Sequence, residues 1–430
     1  MILLEHSLLF LIIAFSMKIG LICIGDELLL GQVIDTNSSV IGQLLAENGL
    51  SVHRKWTVGD KADEIQYALQ SATECCKLII MTGGLGPTKD DITKKIIAEF
   101  FKVELVFSEA NYAHLKDLFS ARNIELKEVH KVQCYVPSNA ELLNNKVGTA
   151  MGMWIEDMDK IYISLPGVPD EMKFIMSEEA IPKLNLLAKE LEFSSRTFHT
   201  CGISETDVAA KLEPLLADSM DFIQIAYLPS ISQVRFRIGA FNHNLDYLNL
   251  KLEELTLRIR QAFGNMIFGE GNTNLALELG KLLQAKNWTL ATVESCTGGA
   301  MAAKISSNPG SSEYFKGGLI TYATEVKHNL LNIPLQVIEQ YSVVSDEVAR
   351  AMVVQTAKLL KAEMVISTTG IAGPTGGSVE LPIGTIFIAC GNENEQISKR
   401  LKLSKNRERN IEATSNLALN LAREWMLSKL

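Results

Sequence analysis

Basic residues are in deficit in this 430-residue chain: 41 Lys and Arg stand against 50 Asp and Glu, a formal net charge of −9. Proteins that neutralise phosphate backbones carry a basic face, so this balance speaks against a nucleic-acid partner. Cysteine is also scarce, with seven residues and no C-x-x-C pair. An odd count without paired spacing argues against a disulfide framework and reads as free thiols in a reducing, cytoplasmic compartment. No Cys/His cluster has zinc spacing. The apolar run Leu8 to Phe15 is far short of the roughly 20 residues that span a bilayer, so no membrane partner is expected. As a signal peptide it lacks a positive flank, having Glu5 and His6, and Phe15-Ser16 is a poor cleavage site. Translation is expected to begin at Met17, just ahead of a clean first strand.

What is present is an ordinary globular balance, 47% hydrophobic and 21% charged, over a length that suggests two to four domains. Lys18 to Ile24 is a continuous apolar run of the kind buried in a parallel sheet. Thr36 and Asn37 are candidate caps for a helix to Asn48, stopped by Gly49. Val52 to Val58 and Leu78 to Thr82 read as further strands, with a helix from Asp60 to about Cys75 between them. The alternation predicts an α/β layer fold, whose ligands lie at the carboxyl ends of the strands.

Two loops fall at that end. One begins at Gly25 and carries Asp26 and Glu27. The other reads Gly83-Gly84-Leu85-Gly86-Pro87-Thr88-Lys89-Asp90-Asp91. Gly83, Gly84 and Gly86 would let backbone approach a phosphate, while Asp90, Asp91 and Glu27 offer hard oxygens to a divalent cation. An acidic helix start is the plainer alternative for the aspartates. The turn Pro166-Gly167-Val168-Pro169 marks a boundary, and a β-α-β-β-α order follows. It includes a capping-box variant at Ser204/Asp207 and an alternating strand from Gln233 to Ala240. Arg235 and Arg237 read as the solvated face of that strand.

The densest chemistry lies between Ala291 and Lys327, ATVESCTGGAMAAKISSNPGSSEYFKGGLITYATEVK. A β-type run, Leu290 to Val293, stops at Glu294-Ser295-Cys296-Thr297-Gly298-Gly299, and a small-residue helix follows. Such a turn exposes backbone N–H groups that suit an anion. Ser312, Tyr322 and Lys327 then supply a hydroxyl, a phenol and an amine, the parts of a Ser-Lys nucleophilic site. Tyr322 is expected to end a strand that starts at Gly318. A second glycine-rich loop, Thr369 to Gly377, follows another β-type run. Together the loops suggest a phosphate-bearing or nucleotide-like ligand, although each residue taken alone could be just a cap or a turn. Arg407 opens the closing helix, where a basic residue opposes the helix dipole, which marks it as an anion contact.

These stretches also carry a resemblance. ESCTGG, PGSSEYF, TYATEVK, VSDEVAR, TGIAGPTGG and PIGT resemble the C-terminal domain of the CinA family, which is similar to nicotinamide mononucleotide amidohydrolases. GDELLLGQVIDTNS, TVGD, TGGLGPTKDD, NKVGTAMG and LPGVPDEM resemble its N-terminal domain, similar to MogA-type molybdopterin-binding proteins. The middle resembles the family's KH-like domain without a GXXG loop, so no RNA role is inferred. The resemblance implies an α/β chain of three parts: a MogA-like domain at 17–170, a KH-like α+β connector at 171–265 and an amidohydrolase domain at 270–430.

By the same resemblance Ser312 is the nucleophile, with Tyr322 and Lys327 beside it. Thr369 and backbone near Gly370 would hold the oxyanion. Ser295, Thr297, Gly298, Gly299, Gly370, Gly373 and Arg407 would bind substrate. The reaction implied is deamidation of nicotinamide mononucleotide without a cofactor. The N-terminal site would cleave ADP-ribose with a divalent metal ion, though this chain has no Nudix-type run. A homodimer is implied as well. The competing expectation is a pterin- or nucleotide-binding scaffold linked to competence.

Overall fold

The computed structural model describes residues 18–88, 91–187, 192–217 and 223–429. The predicted start at Met17 and the apolar leader lie outside them, as does Asp90. By internal packing the chain divides into two units, Met1–Ser194 with Phe241–Leu248, and Ser195–Ala240 with Asn249–Leu430.

In the first unit β1 (Ile19–Ile24) is buried at every position. Strand side chains alternate between faces, so Ile19, Leu21 and Cys23 enter one core and Ile22 and Ile24 another. The first core is closed by α1 (Thr36–Glu47) and by α4 (Pro169–Ile175) through Ile41, Leu45, Met172 and Ile175. The second is closed by α2 (Ala62–Cys75) and α3 (Thr93–Phe101) through Ile65, Leu69, Ile96 and Ile97. The remaining strands are β2 (Val52–Val58), β3 (Leu78–Thr82), β4 (Glu141–Leu143), β5 (Gly152–Asp157) and β6 (Lys160–Leu165). The sheet order is β2-β1-β3-β6-β5-β4, parallel from β2 to β6 and antiparallel beyond. The cap of α1 is Asp35, which accepts from Ser38 N at 2.9 Å, rather than Thr36 or Asn37.

The connector holds β7 (Glu192–Cys201), α5 (Glu205–Leu216), β8 (Ile223–Ser230), β9 (Gln233–Asn242), α6 (Leu245–Phe263) and β10 (Ile267–Glu270), with strand order β8-β9-β7-β10. Ser204 caps α5 by accepting from Asp207 N at 3.1 Å, as its spacing predicts.

The C-terminal sheet has the order β12-β11-β13-β14-β15. Its strands are β11 (Leu290–Glu294), β12 (Phe315–Ile320), β13 (Met364–Gly370), β14 (Thr385–Gly391) and β15 (Gln396–Lys402). The first three are mutually parallel, and β14 and β15 run antiparallel. One face is covered by α10 (Asp346–Leu360) through Val348, Met352 and Val353. The other is covered by α7 (Leu275–Lys286), α8 (Ala300–Ser306) and α11 (Arg407–Leu427). The strand expected from Gly318 to Tyr322 is displaced toward the N-terminus, to Phe315–Ile320. Lys327 therefore stands on a helix, α9 (Thr324–Leu331). Among the described residues no helix is long and apolar enough to cross a membrane.

Candidate active site

Register brings the chemistry together. Glu294, the last residue of β11, pairs with Ile320 on one side and Thr368 on the other. The next residues of all three parallel strands therefore emerge at one carboxyl edge: Ser295, Thr321-Tyr322 and Thr369. There Ser295, Tyr322 and Thr369 line a cavity of about 180 Å³ with Cys296, Lys327, Gly370 and Arg407.

Lys327 is the centre of it. Its side chain is 1% exposed, and its Nζ donates to Thr321 O at 2.6 Å, to Ser295 Oγ at 3.1 Å and to Tyr322 O at 3.3 Å. Burial disfavours the charged amine and lowers its pKa to about 8, against a smaller opposing pull from Cys296. A neutral amine with two hydrogens can donate to the two carbonyls and accept from the Ser295 hydroxyl. The other nucleophile in the cavity is disabled, because burial raises the Cys296 thiol to about 12 and thiols react as thiolates.

Ser312 is not part of this group. It lies in the turn before β12, whose first residue Phe315 pairs with Leu290 at the amino edge of the sheet. Tyr322 and Lys327 follow the other end of β12. The strand's six residues alone put about 17 Å between the two edges. The expected pairing of Ser312 with Lys327 is therefore corrected within one chain: the hydroxyl beside the amine is that of Ser295.

The expected anion site at the glycine turn is also corrected, because the chain's own carboxylate fills it. Glu294 is buried, and it accepts from Gly299 N at 3.0 Å, Met301 N at 3.1 Å and Ala302 N at 2.8 Å. The free donors at the start of α8 are thus satisfied internally. Gly298 and Gly299 adopt φ of +61° and +100°, which is what the turn needs of them. Thr297 is buried with its hydroxyl 2.8 Å from that of Thr368. The Thr369 hydroxyl donates to Val343 O at 2.8 Å, so it is not free to serve an oxyanion.

At the cavity mouth Arg407 donates from Nη1 to Gly373 O and from Nη2 to the Tyr322 hydroxyl, both at 2.9 Å. Tyr322 is 59% exposed. The arginine and the phenol are thereby held as a pair at the entrance. The role of Gly373 is to orient the guanidinium through its carbonyl.

The N-terminal loops sit at the carboxyl edge of their own sheet, as expected, but their polar groups are largely bound to the chain itself. Asp26 N donates to Asp60 Oδ2 at 2.9 Å and Asp60 N returns to Asp26 Oδ1 at 3.2 Å. Asp35 pairs with Lys55 at 2.5 Å. Asp91 Oδ2 accepts from Thr88 N at 2.9 Å and from the Thr88 hydroxyl at 2.5 Å. A Cβ on Gly25 would lie 2.5 Å from the Glu27 carboxylate, which folds back over that glycine. Gly83 is required by the approach of Ile24 O, 2.3 Å from where its Cβ would stand, and Gly84 by the Thr93 hydroxyl at 2.1 Å. Gly86 similarly faces Asp91. These contacts are what requires glycine at each of the three positions.

Among the described residues no three His, Cys, Asp or Glu side chains converge as metal ligands. Of the three expected ligands, Asp90 lies outside the described residues. Sequence reading passed over Lys94, a buried amine donating to Gln133 O at 2.8 Å and lowered by burial to about 8. Its signal was only a lysine on the apolar face of a helix.

With this geometry in place, family models match three stretches. They are a "Probable molybdopterin binding domain" at 20–186, a "Damage-inducible protein CinA KH domain" at 195–269 and a "CinA C-terminal domain" at 272–426. A CinA-like protein of Cytophaga hutchinsonii is 40% identical over 94% of this chain and 97% of its own length. One from Flavobacterium psychrophilum is 39% identical over 94% and 97%. A crystal structure of a CinA protein from Thermoplasma acidophilum, described as of unknown function, aligns at 32% identity. It covers 39% of this chain and 97% of its own, with a TM-score of 0.36.

Proposed function

Because the chain belongs to the CinA family, and because a buried amine meets a serine at its C-terminal site, we propose that this site is an amidohydrolase acting on nicotinamide mononucleotide. The carrying observation is the Lys327–Ser295 pair, 3.1 Å apart in a cavity closed to bulk water on the lysine side. Neutral Lys327 takes the Ser295 proton as Oγ attacks the carboxamide carbon. The protonated amine returns that proton to the leaving nitrogen, releasing ammonia and a nicotinoyl ester on Ser295. Water then hydrolyses the ester by the same proton route, giving nicotinate mononucleotide. The backbone at Cys296 and Gly370 lines the cavity and is the candidate holder of the oxyanion. The cavity of about 180 Å³ suits a carboxamide-bearing ring and leaves the ribose phosphate at the mouth, where Arg407 and Tyr322 sit.

Incubation with nicotinamide mononucleotide should release ammonia and a product carrying a carboxylate in place of the amide, read by mass spectrometry. No ammonia from well-folded protein would leave the binding-scaffold reading as the better one. For the N-terminal domain, ADP-ribose hydrolysis with a divalent metal ion is proposed on the resemblance alone, since the described residues do not assemble a donor set. Incubating ADP-ribose with magnesium tests it. Absence of adenosine monophosphate would favour a pterin- or nucleotide-binding role.

A further inference from the structure

The second unit holds a cavity larger than the one around Lys327. It has a volume of about 530 Å³ and opens between α5, β15 and the C-terminal half of α11. This volume falls in the range of small-molecule sites, about 300–1,000 Å³. Its floor is apolar, with Ile203, Leu417 and Leu421 beside buried Cys201. Its rim carries charges of both signs, Asp207 and Glu424 against Lys211 and Lys399.

Each carboxylate has a neutral hydrogen-bond donor from its own helix region. Asp207 Oδ2 accepts from the Ser204 hydroxyl at 2.6 Å, and Glu424 Oε1 accepts from Asn420 Nδ2 at 2.9 Å. Among the described residues neither lysine has an ion pair or a hydrogen-bond partner. The two lysines are thus the rim groups left without a partner, above a floor that favours an apolar body, and an anion would supply one.

We propose that this cavity binds an organic anion of about mononucleotide size, its apolar body on Leu417 and Leu421 and its anionic group between Lys211 and Lys399. The same chemistry is met by a nucleoside monophosphate and by a fatty-acid anion. The probe is 8-anilinonaphthalene-1-sulfonate, an apolar body with one anionic group, titrated into the full chain and followed by its fluorescence. Saturable binding is expected, weakened about tenfold or more in the K211E/K399E double variant and retained in K211R/K399R.

Displacement of the dye by adenosine monophosphate identifies the nucleotide source, and displacement by dodecanoate the lipid source. Inorganic phosphate at equal concentration should displace neither, since it lacks the apolar body. The proposal is overturned if dye binding is the same in K211E/K399E. It is also overturned if neither organic anion competes, or if phosphate competes equally well. Both lysines are exposed, so the variants should keep the wild-type melting temperature, which separates loss of binding from loss of fold.

Discussion

A lysine can act as a base only in the fraction that is neutral, and at Lys327 burial enlarges that fraction by lowering the pKa to about 8. The neutral form grows as pH rises. Under the proposed mechanism kcat/KM should therefore climb about tenfold per pH unit below pH 8 and flatten above it. A profile still climbing beyond about pH 9.5 would mean an ordinary lysine, near 10.4, or a different base.

Substitution separates the two serines. Ser295→Ala and Lys327→Arg should each lower kcat by about a thousandfold, the latter because guanidinium stays protonated. The double variant should be no worse than either, because the pair acts as one unit. Ser312→Ala should stay within about twofold of wild type, being at the opposite edge of the sheet. If Ser312→Ala is inactive and Ser295→Ala is not, the assignment to Ser295 fails.

At the scale of the element, the short helix α8 depends on a carboxylate that belongs to the strand before it. Glu294 satisfies three backbone donors there while it ends β11 and sets the position of Ser295. Glu294→Gln turns one acceptor into an amide that faces donors. We expect a loss of about 2 kcal/mol in urea unfolding, the cost of buried donors left unpaired. Turnover should fall with it, since Ser295 shifts. An unchanged unfolding midpoint would show that water satisfies those groups equally well.

On the scale of the whole molecule, the boundary between the connector and the C-terminal sheet is bridged inside one unit. Cys201 and Phe268 from the connector pack in the same core as Leu275 and Trp425. Buried Arg423 donates to Asn265 O at 2.6 Å, and Asn416 donates to Ile231 O at 3.0 Å. A fragment 270–430 keeps every residue of the Lys327 cavity but leaves Arg423 without that carbonyl and strips Phe268 from the core. It should release ammonia, yet melt below a fragment 195–430 when the two are compared by calorimetry. Equal melting temperatures would mean that the connector adds nothing to the stability of the sheet.

The sequence by itself determined the layer fold, because buried parallel strands announce themselves as apolar runs: Ile19–Ile24 and Leu78–Thr82 lie where those runs are, and the more polar edge strand Val52–Val58 lies where the strand–helix alternation puts it. It determined the family too, through motifs that keep their order along the chain. It marked Tyr322, Lys327 and Arg407 by residue type, and all three line one cavity. It did not reveal β15, a polar edge strand with little apolar pattern to read.

Only the tertiary structure decided which serine meets the lysine. Ser312 is nearer in sequence to Lys327 than Ser295 is, but strand register sends one to each edge of the sheet. Likewise glycine content could not tell a phosphate cradle from a tight turn, since both require the absence of a Cβ. What the tertiary structure adds is the contact that requires the glycine, Ile24 O at Gly83 and the Thr93 hydroxyl at Gly84. Such contacts are made by residues far apart in the chain or fixed by backbone geometry, and no local pattern encodes them.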